Sequence, residues 1–260
     1  MTQQSEQINE LAEALAKAQG QMQNAKKDST NPHFKSNYRN NVDHKLRMFS
    51  NLIFVDFGCG PLTSGISLAW YNLVVNKHPA NAVAPGLRLH YIGMDRSQPM
   101  LAHAQAASVS SGLFHSKSTF DFISRANLPI MLPALIEKYR AANGNKQLTV
   151  VLNCSYYFGS RTLDVSSLVK IIKTLLQKHV PQDKVCLTYQ NASHTDVNTK
   201  WEAFKKGVHG HLIEKDSANE YLQYYDVTGR RTQPNPQPIR LRRELLLNST
   251  WKDLLEKDKK

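Results

Sequence analysis

From Met48 to the C-terminus, short apolar runs alternate with helix-like stretches, and this alternation constrains the fold more than any other feature of the chain. The strand candidates are Leu52–Phe57 (LIFVDF), Arg88–Asp95 (RLHYIGMD), Ser118–Phe122 (STFDF), Leu148–Asn153 (LTVVLN), Lys184–Gln190 (KVCLTYQ), Glu220–Val227 (EYLQYYDV) and Ile239–Leu247 (IRLRRELLL). Between the first six, helices are expected over Ser64–Asn76, Pro99–Ser111, Pro129–Ala142, Val165–His179 and Val197–Gly207. The first five strands are nearly continuous apolar runs, as strands covered on both faces must be. The last strand alternates instead: Ile239, Leu241, Leu245 and Leu247 share one face, while Arg240, Arg242 and Glu244 share the other. Five βα units followed by two strands with no helix between them predict an α/β, Rossmann-like, doubly wound and mostly parallel seven-stranded sheet. A C-terminal antiparallel hairpin is expected at its edge.

Residues 1–47 read differently. Ile8, Leu11, Leu15, Ala18 and Met22 follow helical spacing, and a polar, turn-rich stretch follows them. One helix with so narrow an apolar stripe cannot form a core alone, so the segment is expected to be a helical appendage and linker to a domain spanning 48–260. The chain of 260 residues has no uninterrupted apolar run of about 18, which excludes a transmembrane helix. Its N-terminus lacks the layout of a secretion signal. Three widely spaced cysteines, Cys59, Cys154 and Cys186, argue against a disulfide framework and for a reducing, cytoplasmic setting. No Cys/His spacing suits a metal, so none is expected.

The formal charge is +12, and part of it is local: from Gly229 onward nine Lys and Arg face four acids. A basic surface raises affinity for any polyanion, although a solvated basic face is the simpler reading of the composition.

The chemistry concentrates at two strand ends. Val55-Asp56-Phe57-Gly58-Cys59-Gly60-Pro61 places a glycine turn after the first strand, where backbone can approach a ligand closely. The dinucleotide pattern G-x-G-x-x-G would need glycine at position 63, where this chain has Thr63. The second strand ends in Tyr91-Ile92-Gly93-Met94-Asp95-Arg96-Ser97, a carboxylate at the tip where adenosine cofactors have their ribose held. Asp95 or Ser97 can equally cap the helix entered at Pro99, and the two roles are compatible.

VDFGCGPLTSG followed by YIGMDRSQPML resembles the first two motifs of class I S-adenosylmethionine-dependent methyltransferases, and the resemblance covers about residues 48–250. It implies S-adenosyl-L-methionine as cofactor. Asp56, Gly58, Cys59 and Gly60 would line its methionine and adenosine side, Asp95 would hold the ribose, and Asp121 would contact the adenine amine. The fourth strand ends in Asn153-Cys154-Ser155-Tyr156, similar to the Asn/Asp-Pro-Pro-aromatic turn of amino-group methyltransferases, with Cys-Ser in place of the prolines. Asn153 and Tyr156 are therefore the candidate catalytic residues; the other reading is a Tyr-rich loop packed over the cofactor. His194 is either a base or a helix-capping loop histidine.

A second resemblance, INELAEALAKAQGQMQNAKKDSTNPHFKSNY, is to the start of phage Erf-type single-strand annealing proteins, and stops near Tyr38. It implies a bacterial or phage source. Two functions are thus expected: a methyltransferase with a nucleic-acid acceptor, RNA or DNA, engaged through the basic C-terminal region, or a non-catalytic accessory protein that binds single-stranded nucleic acid.

Overall fold

The computed structural model describes residues 52–76, 89–222 and 239–251. All lie in one compact unit, Phe49–Lys260. The expected N-terminal helix and annealing-protein-like leader, and the loop over residues 77–88, fall outside the described residues.

Seven strands form one sheet in the order β3-β2-β1-β4-β5-β7-β6. They are β1 Leu52–Phe57, β2 His90–Asp95, β3 Thr119–Ser124, β4 Thr149–Asn153, β5 Lys184–Ala192, β6 Ile213–Leu222 and β7 Ile239–Leu247. β1 to β5 pair in parallel, and β7 runs antiparallel to both β5 and β6. The helices are α1 Thr63–Asn76, α2 Gln98–Ser110, α3 Leu128–Ala142, α4 Val165–Thr174 and α5 Thr195–Val208, with a π-turn over Leu175–His179 extending α4. This topology is the α/β, Rossmann-like, doubly wound and mostly parallel seven-stranded sheet expected from the sequence.

The first five strands and β7 lie within two residues of the ends expected from sequence; β6 does not. It begins at Ile213, seven residues before the expected start at Glu220. Its sequence, IEKDSANEYL, is polar, and a bulge between Glu214 and Asp216 breaks its register, so no apolar run announces it. The antiparallel β6–β7 pair closes one edge of the sheet, as expected, with β7 next to β5 and β6 outermost.

Right-handed crossovers from β1 to β2 and from β2 to β3 put α1 and α2 on one face of the sheet. The return to β4 puts α3, α4 and α5 on the other. There Ile53, Val55, Ile92, Val150, Leu152, Val185 and Leu187 pack under Leu132, Ile136, Leu168, Ile172, Trp201 and Phe204. Because the chain leaves β1 in one direction and returns to β4 on its opposite side, the carboxyl ends of β1 and β4 form the topological switch point. Such sheets carry their ligand crevice there.

Candidate functional site at the sheet switch point

The turn after β1 is fixed by backbone contacts. Gly58 and Cys59 both donate their N–H groups to the Met94 carbonyl, at 2.8 and 3.0 Å. Gly60 donates to Asp95 Oδ2 at 3.2 Å. Gly58 and Gly60 take positive φ values of +74° and +52°, which side chains rarely adopt. A Cβ on Gly58 would meet the Tyr157 ring at 3.2 Å, whereas one on Gly60 would meet nothing within 4 Å among the described residues. The Gly60 side of the turn is thus open to a ligand. Asp95, half-buried at the tip of β2, also accepts from Ser97 N at 2.8 Å. Ser97 is the N-cap of α2, accepting from Met100 N, with Pro99 in the first turn. Capping and ligand binding are divided between the two residues, as their types allow.

Beneath the turn lies a buried polar network. Asp56, 1% exposed, accepts from Tyr91 Oη at 2.5 Å and from Asn153 Nδ2 at 2.7 Å. The Asn153 amide also reaches Ser64 Oγ at 3.1 Å. Its carbonyl accepts from Ser155 Oγ at 2.8 Å and Thr188 Oγ1 at 3.0 Å. Asp56 and Asn153 are register partners across the β1–β4 boundary, so the network spans the switch point from β2 to β5. Burial pushes the Asp56 carboxyl up from 3.8 to about 6; donation from Tyr91, Asn153 and Ser64 holds it from rising further, and the charge of Asp95 adds to the rise. Burial likewise raises the Tyr91 hydroxyl well above its ordinary value, and the neighbouring Asp56 charge adds to that.

Local sequence explains how a tyrosine reaches this carboxylate. A Cβ on Gly65 or on Gly93 would lie 2.9 Å from the Tyr91 ring. The two residues clear space for the ring from α1 and from β2, so Gly65 serves packing. Neither Tyr91 nor Thr188 was singled out from sequence. The available signal was a tyrosine and an aspartate inside strands otherwise apolar on both faces, since each needs a buried partner.

The expected catalytic residues separate. Asn153 is 5% exposed, and its amide and carbonyl engage the four partners above. Tyr156 is 57% exposed and left-handed at φ 59°. Its N–H donates to Gln190 O at 2.7 Å, and its hydroxyl accepts from Gln190 Nε2 at 3.3 Å. Its successors anchor it: Tyr157 packs against Phe57, and Phe158 sits edge-on to Tyr189 and Trp201. Tyr156 therefore stands at the tips of β4 and β5 on a fixed backbone.

Asp121 is not brought together with these groups. It lies within β3 opposite Ile92, three residues short of the strand end, where Ser124 is the partner of Asp95. Its carboxylate turns to α3, bonded by the Tyr139 hydroxyl and 3.8 Å from Lys138 Nζ. The run TFDFIS continues as strand beyond Phe122, which moves Asp121 away from the edge. His194 is the N-cap of α5, but its side chain makes no cap bond. Cys59 and Cys154 are buried, and burial raises both thiols, Cys59 to about 12. Among the described residues no three His, Cys, Asp or Glu side chains gather as a metal site, and no helix is long and apolar enough to cross a membrane.

The basic C-terminal region is partly neutralised. Arg242 pairs with Glu202 and Glu244, and Arg243 pairs with Glu220. A separate pocket of about 210 Å³ opens between α5 and the β6–β7 hairpin, lined among others by Ser193, Asn198, Arg240 and Glu244.

No protein-family model matches the chain, and no curated protein matches it. Among solved structures it is similar to precorrin-6y C5,15-methyltransferase from Geobacter metallireducens, at 13% identity, covering 80% of this chain and 86% of that one, TM-score 0.43. It is also similar to a SAM-dependent methyltransferase from Methanosarcina mazei, at 11% identity, 80% and 96% coverage and TM-score 0.40. A third is precorrin 8w decarboxylase from Methanobacterium thermoautotrophicum, at 13% identity, 81% and 87% coverage and TM-score 0.41. These likenesses concern the fold alone.

Proposed function

We propose that the chain transfers a methyl group from S-adenosylmethionine to a nucleic-acid acceptor. The observation that carries this reading is the open Gly58-Cys59-Gly60 turn set beside the Asp95 carboxylate at the switch point. Each Asp95 oxygen already takes one backbone N–H, and a carboxylate has about four acceptor sites, so capacity is left for two ribose hydroxyls. The clear space above Gly60 allows backbone to lie against the cofactor. Asp56 supplies negative charge under the turn, suited to an ammonium group nearby. The cofactor, when bound, supplies an electrophilic methyl on a sulfonium.

What the chain's own residues do is bind and align. Displacement at a methyl group is in-line, so much of the acceleration comes from holding the acceptor in attack geometry. A base is needed only where the acceptor's pKa demands one. Tyr156, exposed and fixed, offers an aromatic face to the acceptor. Asn153 acts as a positioning residue, tying Asp56 and Ser64 to Ser155 and Thr188 so that cofactor floor and acceptor edge keep one geometry. The net charge of +12 favours a polyanionic acceptor.

The test is isothermal titration with S-adenosylmethionine and S-adenosylhomocysteine, using wild type and Asp95→Ala. Micromolar binding lost in the variant is expected and leads to a tritiated-methyl screen over RNA and DNA. A folded wild-type protein that binds neither ligand overturns the reading.

A further inference from the structure

Two arginines from different strand ends converge on one hydroxyl. Arg96 follows the tip of β2 and Arg125 follows the tip of β3, yet both reach Thr162 in the loop after β4. Arg96 Nη1 donates to Thr162 Oγ1 at 3.3 Å and Arg125 Nη1 to the same atom at 3.4 Å. Arg125 Nη2 donates to the Thr162 carbonyl at 2.9 Å. The two Nη1 atoms therefore lie no further apart than the sum of the first two distances, about 6.7 Å. Neither guanidinium pairs with a carboxylate among the described residues. Asp164, the acid in the same loop, caps α4 through Ser167 N and Oγ, at 3.1 and 2.6 Å, and feels the Arg125 charge only at longer range. Paired arginines elsewhere in the molecule show the contrast: Arg140, Arg242 and Arg243 each have a carboxylate partner.

Like charges held this close with no carboxylate in ion-pair contact favour an anion, and the forked donors of arginine match phosphate oxygens. The cationic line continues along the same edge. Arg161 precedes Thr162 and is exposed, and Lys200, in the second turn of α5, donates to Ser160 O at 2.9 Å. Arg96 and Thr162 are also exposed, so the site is an open edge rather than a cavity, which suits a chain of phosphates passing across it.

We infer that Arg96 and Arg125, converging on Thr162 at the carboxyl edge of the sheet, bind a backbone phosphate of a nucleic-acid acceptor. The inference rests on the methyl-transfer reading for its biological sense, but it can be tested without it. It also relocates the nucleic-acid contact from the C-terminal strands, where Arg242 and Arg243 are spent on acids, to the tips of β2 and β3.

The experiment measures binding of a fluorescent single-stranded RNA oligonucleotide by anisotropy between 50 and 300 mM KCl. Proteins compared are wild type, Arg96→Ala/Arg125→Ala, Arg96→Lys/Arg125→Lys and Lys146→Ala, with S-adenosylmethionine titrated into each. Loss of one phosphate contact on a single strand lowers the slope of log K against log salt by about 0.7. That loss is expected in the double alanine variant. The double lysine variant should keep the slope, and so should Lys146→Ala, an exposed cation just before β4 at the opposite edge. An unchanged slope in the double alanine variant, or an equal loss in Lys146→Ala, overturns the inference. So does competition by inorganic phosphate at the oligonucleotide's own concentration, which would indicate a site for small anions. Cofactor binding retained with no arginine dependence defeats this inference alone. Arginine-dependent RNA binding without cofactor binding defeats the methyl-transfer reading alone.

Discussion

Asp56 is held in an environment that resists its charge. It is 1% exposed, and burial moves its carboxyl from 3.8 to about 6 despite three donors. Because the folded value lies above the unfolded one, the folded chain keeps the proton between about pH 4 and 6. The associated stability is full below that window and lost as pH rises through it. The difference corresponds to about 3 kcal/mol. Asp56→Asn removes the titration while setting one amide against the Asn153 amide, a penalty that does not depend on pH. Wild type should therefore lose about 2 kcal/mol of this relative to the variant between pH 4 and 6.5, followed by thermal unfolding at each pH. Parallel curves would show that the carboxyl titrates normally. At this scale the sequence was only half legible. Asp56 stood out beside its glycines, but its partners Tyr91 and Asn153, and Thr188 behind Asn153, come from three other strands, and only pairing register brings them together.

Elements were easier to read than their neighbours in space. Apolar runs announce β1 to β5, whereas β6 is polar and bulged, and pairing with β7 alone defines it. The alternation in β7 was legible, but its consequence was not. Glu244, which shares the charged face of that alternation with Arg240 and Arg242, is 3% exposed because β6 closes the far side of β7 and α5 lies above it. There it meets Lys205 of α5 at 2.8 Å and Arg242. Strand order is a property of the closed sheet, not of any one strand. A second junction of this kind joins α3 to the amino edge: Arg140 Nη1 and Nη2 grip Asp183 at 3.1 and 2.6 Å, and Nη2 also donates to His179 O at 2.6 Å. Asp183, 1% exposed, in turn accepts from Leu148 N. Arg140→Ala strands a buried carboxylate and should cost about 3–5 kcal/mol in urea unfolding, with an unchanged denaturant slope. Arg140→Lys should recover only part, since an ammonium cannot reproduce the fork. A loss below about 1 kcal/mol would mean that water satisfies Asp183 instead.

For the whole molecule, the two proposed ligands differ in what holds them, and that difference is measurable. The cofactor would bind at the switch point through a carboxylate and backbone groups inside a low-dielectric crevice, where salt screens little. The nucleic acid would bind through arginines at the surface, one exposed and one half-buried, where counterion release makes affinity fall steeply with salt. A ligand selective for the native state contributes about 2.7 kcal/mol at 100 times its Kd. For a chain of this size that raises Tm by about 5–10 °C. S-adenosylmethionine should therefore give a thermal shift of this order that persists from 50 to 300 mM KCl and is absent in Asp95→Ala. The oligonucleotide shift should collapse over the same range. The +12 charge alone can attract any anion and makes no such distinction. A cofactor shift that vanished with salt would place its binding on the charged exterior, and the glycine turn would then be a structural corner with no ligand of its own.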